Sequence, residues 1–217
     1  MIKNLFVMVL FALVLCITGC IKKESSTTDT LSIKAVSSEL VIESSSNKVD
    51  DFLIKNKNFT TDYEKDICYH ITPDFIENNS DYSIFKYASS TASFLLFDDA
   101  IYGLGVFLGG NGLTSMALGD LDKDNQYELY FTFSWGSGLH RSQIGYFNPS
   151  TKKVTVFDYS YFNHDMILTK NDEGTLCVNE AMIEGGSFVD FTIKSKKLVA
   201  NIVWEKGSIK LNVIENE

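Results

Sequence analysis

The chain has 217 residues, with 28 Asp and Glu against 19 Lys and Arg, and a formal net charge of −9. That balance argues against nucleic acid as a partner, because phosphate binding needs basic patches. It also disfavours a peripheral grip on anionic lipid.

Lys3 gives the N-terminus a short positive region, and Phe6 to Ile17 is an unbroken apolar run. That run, about 12 residues long, is shorter than the roughly 20 that a spanning helix needs. It reads as a secretory leader, outside fold reasoning. Thr18 and Gly19 are small, and Cys20 ends the run. The stretch ITGC, Ile17 to Cys20, resembles the lipobox of bacterial lipoprotein signal peptides. The resemblance implies that residues 1–19 are removed and that the Cys20 thiol is lipidated. Membrane lipid would then be the first partner, with the chain anchored at the outer face of the cytoplasmic membrane or in the cell envelope. Two acyl chains give stable anchoring where one does not.

Residues 20–47 are polar and Ser/Thr-rich and read as a flexible tether. Within them LSIKAVSSELVIE is open to three readings: a short strand, a short helix or more tether. Residues 48–217 form a single β-rich extracytoplasmic domain of ordinary size. Lys48 to Phe59 places Val49, Phe52 and Leu53 at helical spacing, so a short helix is expected. PDFIENNSD, Pro73 to Asp81, reads as a brief helical turn.

Short strands follow: Tyr82–Ser89, Ala92–Phe97, Leu113–Leu118, Tyr127–Trp135, Ser142–Asn148 and Lys153–Phe162. The tail predicts MILTK, TLCVNEAMI, SFVDFTIK, LVANIVW and SIKLNVI, with turns at NDEG, SKK and EKG. The architecture expected is mainly β, a sandwich or a partial, propeller-like antiparallel sheet with one or two short N-terminal helices. YGLGVFLGGNG, Tyr102 to Gly112, reads as a turn or bulge, since it misses the dinucleotide fingerprint and no helix follows.

The densest chemistry lies in DLDKDNQYE. Asp120, Asp122 and Asp124 stand at positions 1, 3 and 5, and Glu128 at position 9. In a curled loop these side chains converge, and the Gln126 carbonyl at position 7 can join them. Ligands that are all oxygen suit a hard cation, Ca²⁺ before Mg²⁺. Position 6 wants a positive φ, and Asn125 tolerates one. An EF-hand would need flanking helices and a Glu at position 12, where Phe131 stands. The loop instead resembles the calcium loop of FG-GAP and VCBS-type repeats, a hairpin carrying DxDxDGxxD/E between two strands. The resemblance covers about a tenth of the chain, from Leu113 to Phe133, and implies a structural Ca²⁺ held by Asp120, Asp122, Asp124, Gln126 and Glu128. Asn125 departs from that pattern's Gly, and no sister repeat occurs.

SWGSGLHRS gathers Trp135, His140 and Arg141 around two glycines and is a candidate binding loop. Trp and Arg are favoured interface anchors. The bland reading keeps Trp135 in the core and His140 and Arg141 in solvent. His70 and His164 stand alone and read as ordinary residues. Cys68 and Cys177 either pair across about 110 residues or remain two buried thiols. No residue is assigned a catalytic role. The expectation is a binding module for protein or glycan; the alternative is an envelope hydrolase using the ion site or the His140 region.

Overall fold

A computed structural model describes residues 33–35, 47–106, 109–187 and 190–214. The leader and Cys20 lie outside the described residues, as does most of the tether. Strand β1, Ile33–Ala35, falls within the ambiguous LSIKAVSSELVIE segment and pairs antiparallel with β6. Helix α1, Asn47–Lys55, buries Val49 and Phe52. Helix α2, Asp74–Glu77, starts after Pro73, where a missing N–H costs nothing.

The strands form three successive antiparallel meanders. The first sheet is β2 (Cys68–His70), β3 (Ser83–Tyr87), β4 (Ser93–Phe97) and β5 (Ala100–Gly105). The second is β6 (Gly112–Gly119), β7 (Glu128–Trp135), β8 (Arg141–Asn148) and β9 (Lys153–Phe162), with β1 added beside β6. The third is β10 (Asp165–Lys170), β11 (Leu176–Ser187), β12 (Asp190–Glu205) and β13 (Ser208–Val213). The fold is therefore mainly β. Neighbouring sheets share apolar faces as in a sandwich, and each meander is the four-stranded unit from which propellers are also built.

Strand β7 shows why the second sheet is central. Its side chains alternate between faces, and both faces are covered. Leu129, Phe131 and Phe133 join Ile84, Leu95 and Leu104 of the first sheet in one core. Tyr130 joins Leu168, Val178 and Ala200 of the third sheet in another. Thr132, on the same side as Tyr130, is fully buried within a hydroxyl cluster. Thr114 Oγ1 lies 2.9 Å from Thr132 Oγ1 and donates to Met166 O at 2.8 Å. Ser115 Oγ accepts from Leu168 N–H at 2.8 Å and also contacts Thr132 Oγ1. These hydroxyls satisfy Met166 O and Leu168 N–H on the open edge of β10, two groups that its sheet partner does not reach.

One expectation needs correction. SKK, Ser195 to Lys197, is not a turn: β12 runs through it, pairing these residues with Met182, Ala181 and Glu180. Ser187 pairs with Asp190, so the reversal falls earlier. YGLGVFLGGNG carries the expected bulge, opposite Ser93 and Phe94, within β5, which takes Tyr102 to Gly105 into the first sheet. A Cβ on Gly105 would sit 2.9 Å from Phe133 Cδ2, so glycine is needed where these sheets touch.

Cys68 and Cys177 are free, buried thiols on strands of different sheets. Burial, with Asp66 adding to it, pushes the Cys68 thiol up to about 12. A thiol held so firmly protonated is a poor nucleophile.

Candidate metal centre and an adjoining cavity

The turn between β6 and β7 brings one carboxylate oxygen from each of Asp120, Asp122, Asp124 and Glu128 within 4.8 Å of all the others. This group can hold a metal ion. The curl comes from the loop's own hydrogen bonds, which short Asx side chains favour. Asp120 accepts from the Asp124 and Asn125 N–H groups at 3.0 and 3.1 Å. Asp122 Oδ1 accepts from Asp124 N–H at 3.1 Å, and Asp124 Oδ1 from Gln126 N–H at 2.8 Å. Lys123 and Asn125 both take left-handed backbone, at φ 61° and 66°. The positive φ expected at Asn125 is present. Gln126 is exposed, and its side-chain amide donates to Ser150 Oγ at 2.8 Å. Ser150 also donates to Asp124 Oδ2, tying the loop to the turn between β8 and β9.

Glu128 differs from the three Asp, because it is fully buried. Its Oε2 accepts from Leu121 N–H at 3.2 Å and from Tyr130 Oη–H at 3.0 Å. Its Oε1 is buried with no hydrogen-bond partner. Burial pushes the carboxyl up to about 7; Asp122 and Asp120 push the same way, against the two hydrogen bonds. Burial also raises Asp122, its acidic neighbours Asp124 and Asp120 adding to the effect. A buried oxygen without a donor is costly, and a cation among the four carboxylates would remove that cost. The donor set therefore fits a hard cation.

The candidate binding loop divides. Trp135 is half-buried and stacks on Phe133, with ring centroids 5.4 Å apart. It packs against the core between the first and second sheets. Arg141 opens β8, opposite Trp135 on one side and Phe162 on the other. His140 alone of the three lines a cavity of about 360 Å³.

That cavity lies where the β5–β6 and β7–β8 connections meet the start of β10 and the middle of β11. His140 Nε2 is 3.1 Å from Asp165 Oδ1. Asn111 Nδ2 donates to Asp165 Oδ2 at 3.1 Å. The hydrogen bond to Asp165 raises the His140 pKa, over the opposing effect of burial. Behind Asn111, the fully buried Lys86 amine donates to the carbonyls of Asn111 and Leu113 at 2.6 and 3.0 Å. Burial drives its pKa down to about 7, with Asp165 opposing. His164, read from sequence as an ordinary residue, also lines the cavity. Its Nδ1 is 3.1 Å from Glu180 Oε1.

Sequence reasoning missed Asn111, Asp165 and Lys86. The one signal was Asn163-His164-Asp165, three polar residues between two strong strands. Gly110 closes the design: its φ is 69°, and a Cβ there would lie 2.5 Å from Trp135 Cα.

Comparison with family models, curated proteins and solved structures returned no match to this chain.

Proposed function

We propose that this protein is a lipid-anchored extracytoplasmic binding module for protein or glycan, braced by one structural Ca²⁺ at Asp120, Asp122, Asp124, Glu128 and the Gln126 carbonyl. The observation that carries the ion is the convergence of three Asp carboxylates on Glu128, a buried carboxylate whose Oε1 has no hydrogen-bond partner. Oxygen-only donors of mixed exposure in a short loop favour Ca²⁺ over Mg²⁺, which demands stricter geometry. A bracing role follows from position. The loop joins two strands whose faces are both core, and its acids are engaged in holding its own backbone.

The anchor rests on ITGC and Cys20. Cys20→Ser should move the protein out of the membrane fraction; continued tight retention would count against lipidation. For the ion, extracellular modules bind Ca²⁺ at roughly 10⁻⁴–10⁻³ M. At a hundred times Kd, binding adds about 2.7 kcal/mol. For a domain of this size that is a melting shift of roughly 5–10 °C between Ca²⁺ and EGTA. An unchanged melting temperature sinks the calcium claim.

The envelope-hydrolase reading draws on the His140–Asp165 contact. Ser142, the hydroxyl nearest His140 in sequence, is buried and donates to His164 O at 3.0 Å. Binding is therefore the preferred reading of that region.

A further inference from the structure

We propose that the cavity beside His140, Asp165 and His164 binds a neutral, polyhydroxylated ligand, one or two sugar rings in size. This deepens the binding-module reading and rests on it.

Size comes first. A volume of about 360 Å³ falls within the roughly 300–1,000 Å³ of small-molecule sites. The polar wall is also fixed in advance. Asp165 is 5% exposed and uses separate oxygens to hold His140 and Asn111. Three planar polar side chains are thereby set before any ligand arrives, which lowers the ordering cost of binding. His164 adds a second imidazole, whose buried Nδ1 faces Glu180 without the alignment of a hydrogen bond.

Charge and polarity remove the other ligand classes. The Asp165 carboxylate lines the cavity against His140, and the Glu180 carboxylate lies against His164. They offset the positive charge of His140 and of the Lys86 amine behind Asn111, so the wall holds no excess of positive charge to draw an anion, in a chain whose net charge is −9. An apolar ligand would strip water from the imidazoles and the Asn111 amide and return no hydrogen bonds. A metal is not indicated, because the acid loop is the sole tight ligand cluster among the described residues. A hydroxyl donates and accepts at once. Adjacent hydroxyls can therefore satisfy imidazole nitrogens and an amide whichever tautomers they hold. Met182, 48% exposed at the rim, offers an apolar wall to the C–H face of a ring.

The chain has three histidines, which makes the test direct. The full chain, held in a sugar-free zwitterionic detergent, is titrated with glucose, galactose or N-acetylglucosamine while the imidazole Cε1–H signals are followed by NMR. At least one sugar should shift His140 and His164 saturably and leave His70 unmoved. His140→Ala should weaken that binding by about tenfold, the value of one lost hydrogen bond. Met182→Ala, which disturbs no polar contact, should weaken it as well and guards against misfolding of the first variant. Signals of His140 and His164 that stay still with all three sugars overturn the proposal. So do shifts produced only by acetate, phosphate or glycylglycine, and shifts that carry His70 along. Melting the same samples in Ca²⁺ and EGTA tests the ion separately, so a silent cavity with a normal calcium shift defeats the sugar site alone.

Discussion

Tyr130 Oη donates to Glu128 Oε2 at 3.0 Å, so the last acid of the loop is gripped by the strand that it opens. The grip fixes one carboxylate oxygen and leaves Oε1 without a hydrogen-bond partner. Glu128→Gln keeps the shape and removes one of four mutually repelling charges. In EGTA this variant should melt at or above the parent temperature. In Ca²⁺ it should lose most of the roughly 5–10 °C shift. Asp122→Ala should lose the shift too. A Glu128→Gln protein that retains the full calcium response would remove Glu128 from the ion site.

Asn125 carries φ 66°, and left-handed backbone costs an ordinary L-residue about 1–2 kcal/mol. Asn125→Ala should destabilise the domain by about 1 kcal/mol, whereas Asn125→Gly should be close to neutral. Urea unfolding in EGTA reads both without interference from the ion. Equal stability of the Ala and Gly variants would contradict the backbone account.

Lys86 should make stability depend on pH. Its pKa falls from 10.5 to about 7 on folding, so between those values the unfolded chain binds more protons and stability rises with pH. The contribution is complete above 10.5 and is lost as pH falls through about 7. Between pH 7 and about 8.5 the parent should gain about 1–2 kcal/mol relative to Lys86→Met. The neutral amine still has two N–H groups for the Asn111 and Leu113 carbonyls. Lys86→Met leaves those carbonyls without that donor and should cost about 1–3 kcal/mol for each group left unsatisfied. Parallel pH profiles for the two proteins would refute the shift.

Thr132→Val replaces a hydroxyl inside the Thr114–Ser115–Thr132 cluster with a methyl of similar shape. The remaining hydroxyls lose a partner in a buried site, at a cost of about 1–3 kcal/mol. Hydrogen exchange should show the change locally, with weaker protection along β10 at Leu168, whose N–H bonds Ser115. Unaltered protection there would show that the cluster does not hold the edge.

The strands of the second sheet were legible because Leu129, Phe131 and Phe133 alternate with Tyr130 and Thr132, and the acid loop because its ligands lie within nine residues. SKK misled because the outer part of β12 is exposed, so its residues carry no apolar period and look like a turn. Asp165 and His140 are 25 residues apart and meet through sheet packing; no local pattern announces such a pair. For Trp135 the sequence leaves two readings, a partner anchor or a core residue, and its stacking on Phe133 and packing against the core agree with the second.

Each meander is continuous in sequence, and its strands follow one another with short reversals, except where α2 lies between β2 and β3. Such sheets need only local loop closure, the inexpensive kind in a folding chain. The first can form before the second is synthesised, and the second before the third. Strand β1 is the exception, since Ile33 pairs with Ala117. Its place beside β6 must wait until the whole first sheet and β6 itself exist, so the N-terminal segment closes the longest loop in the second sheet.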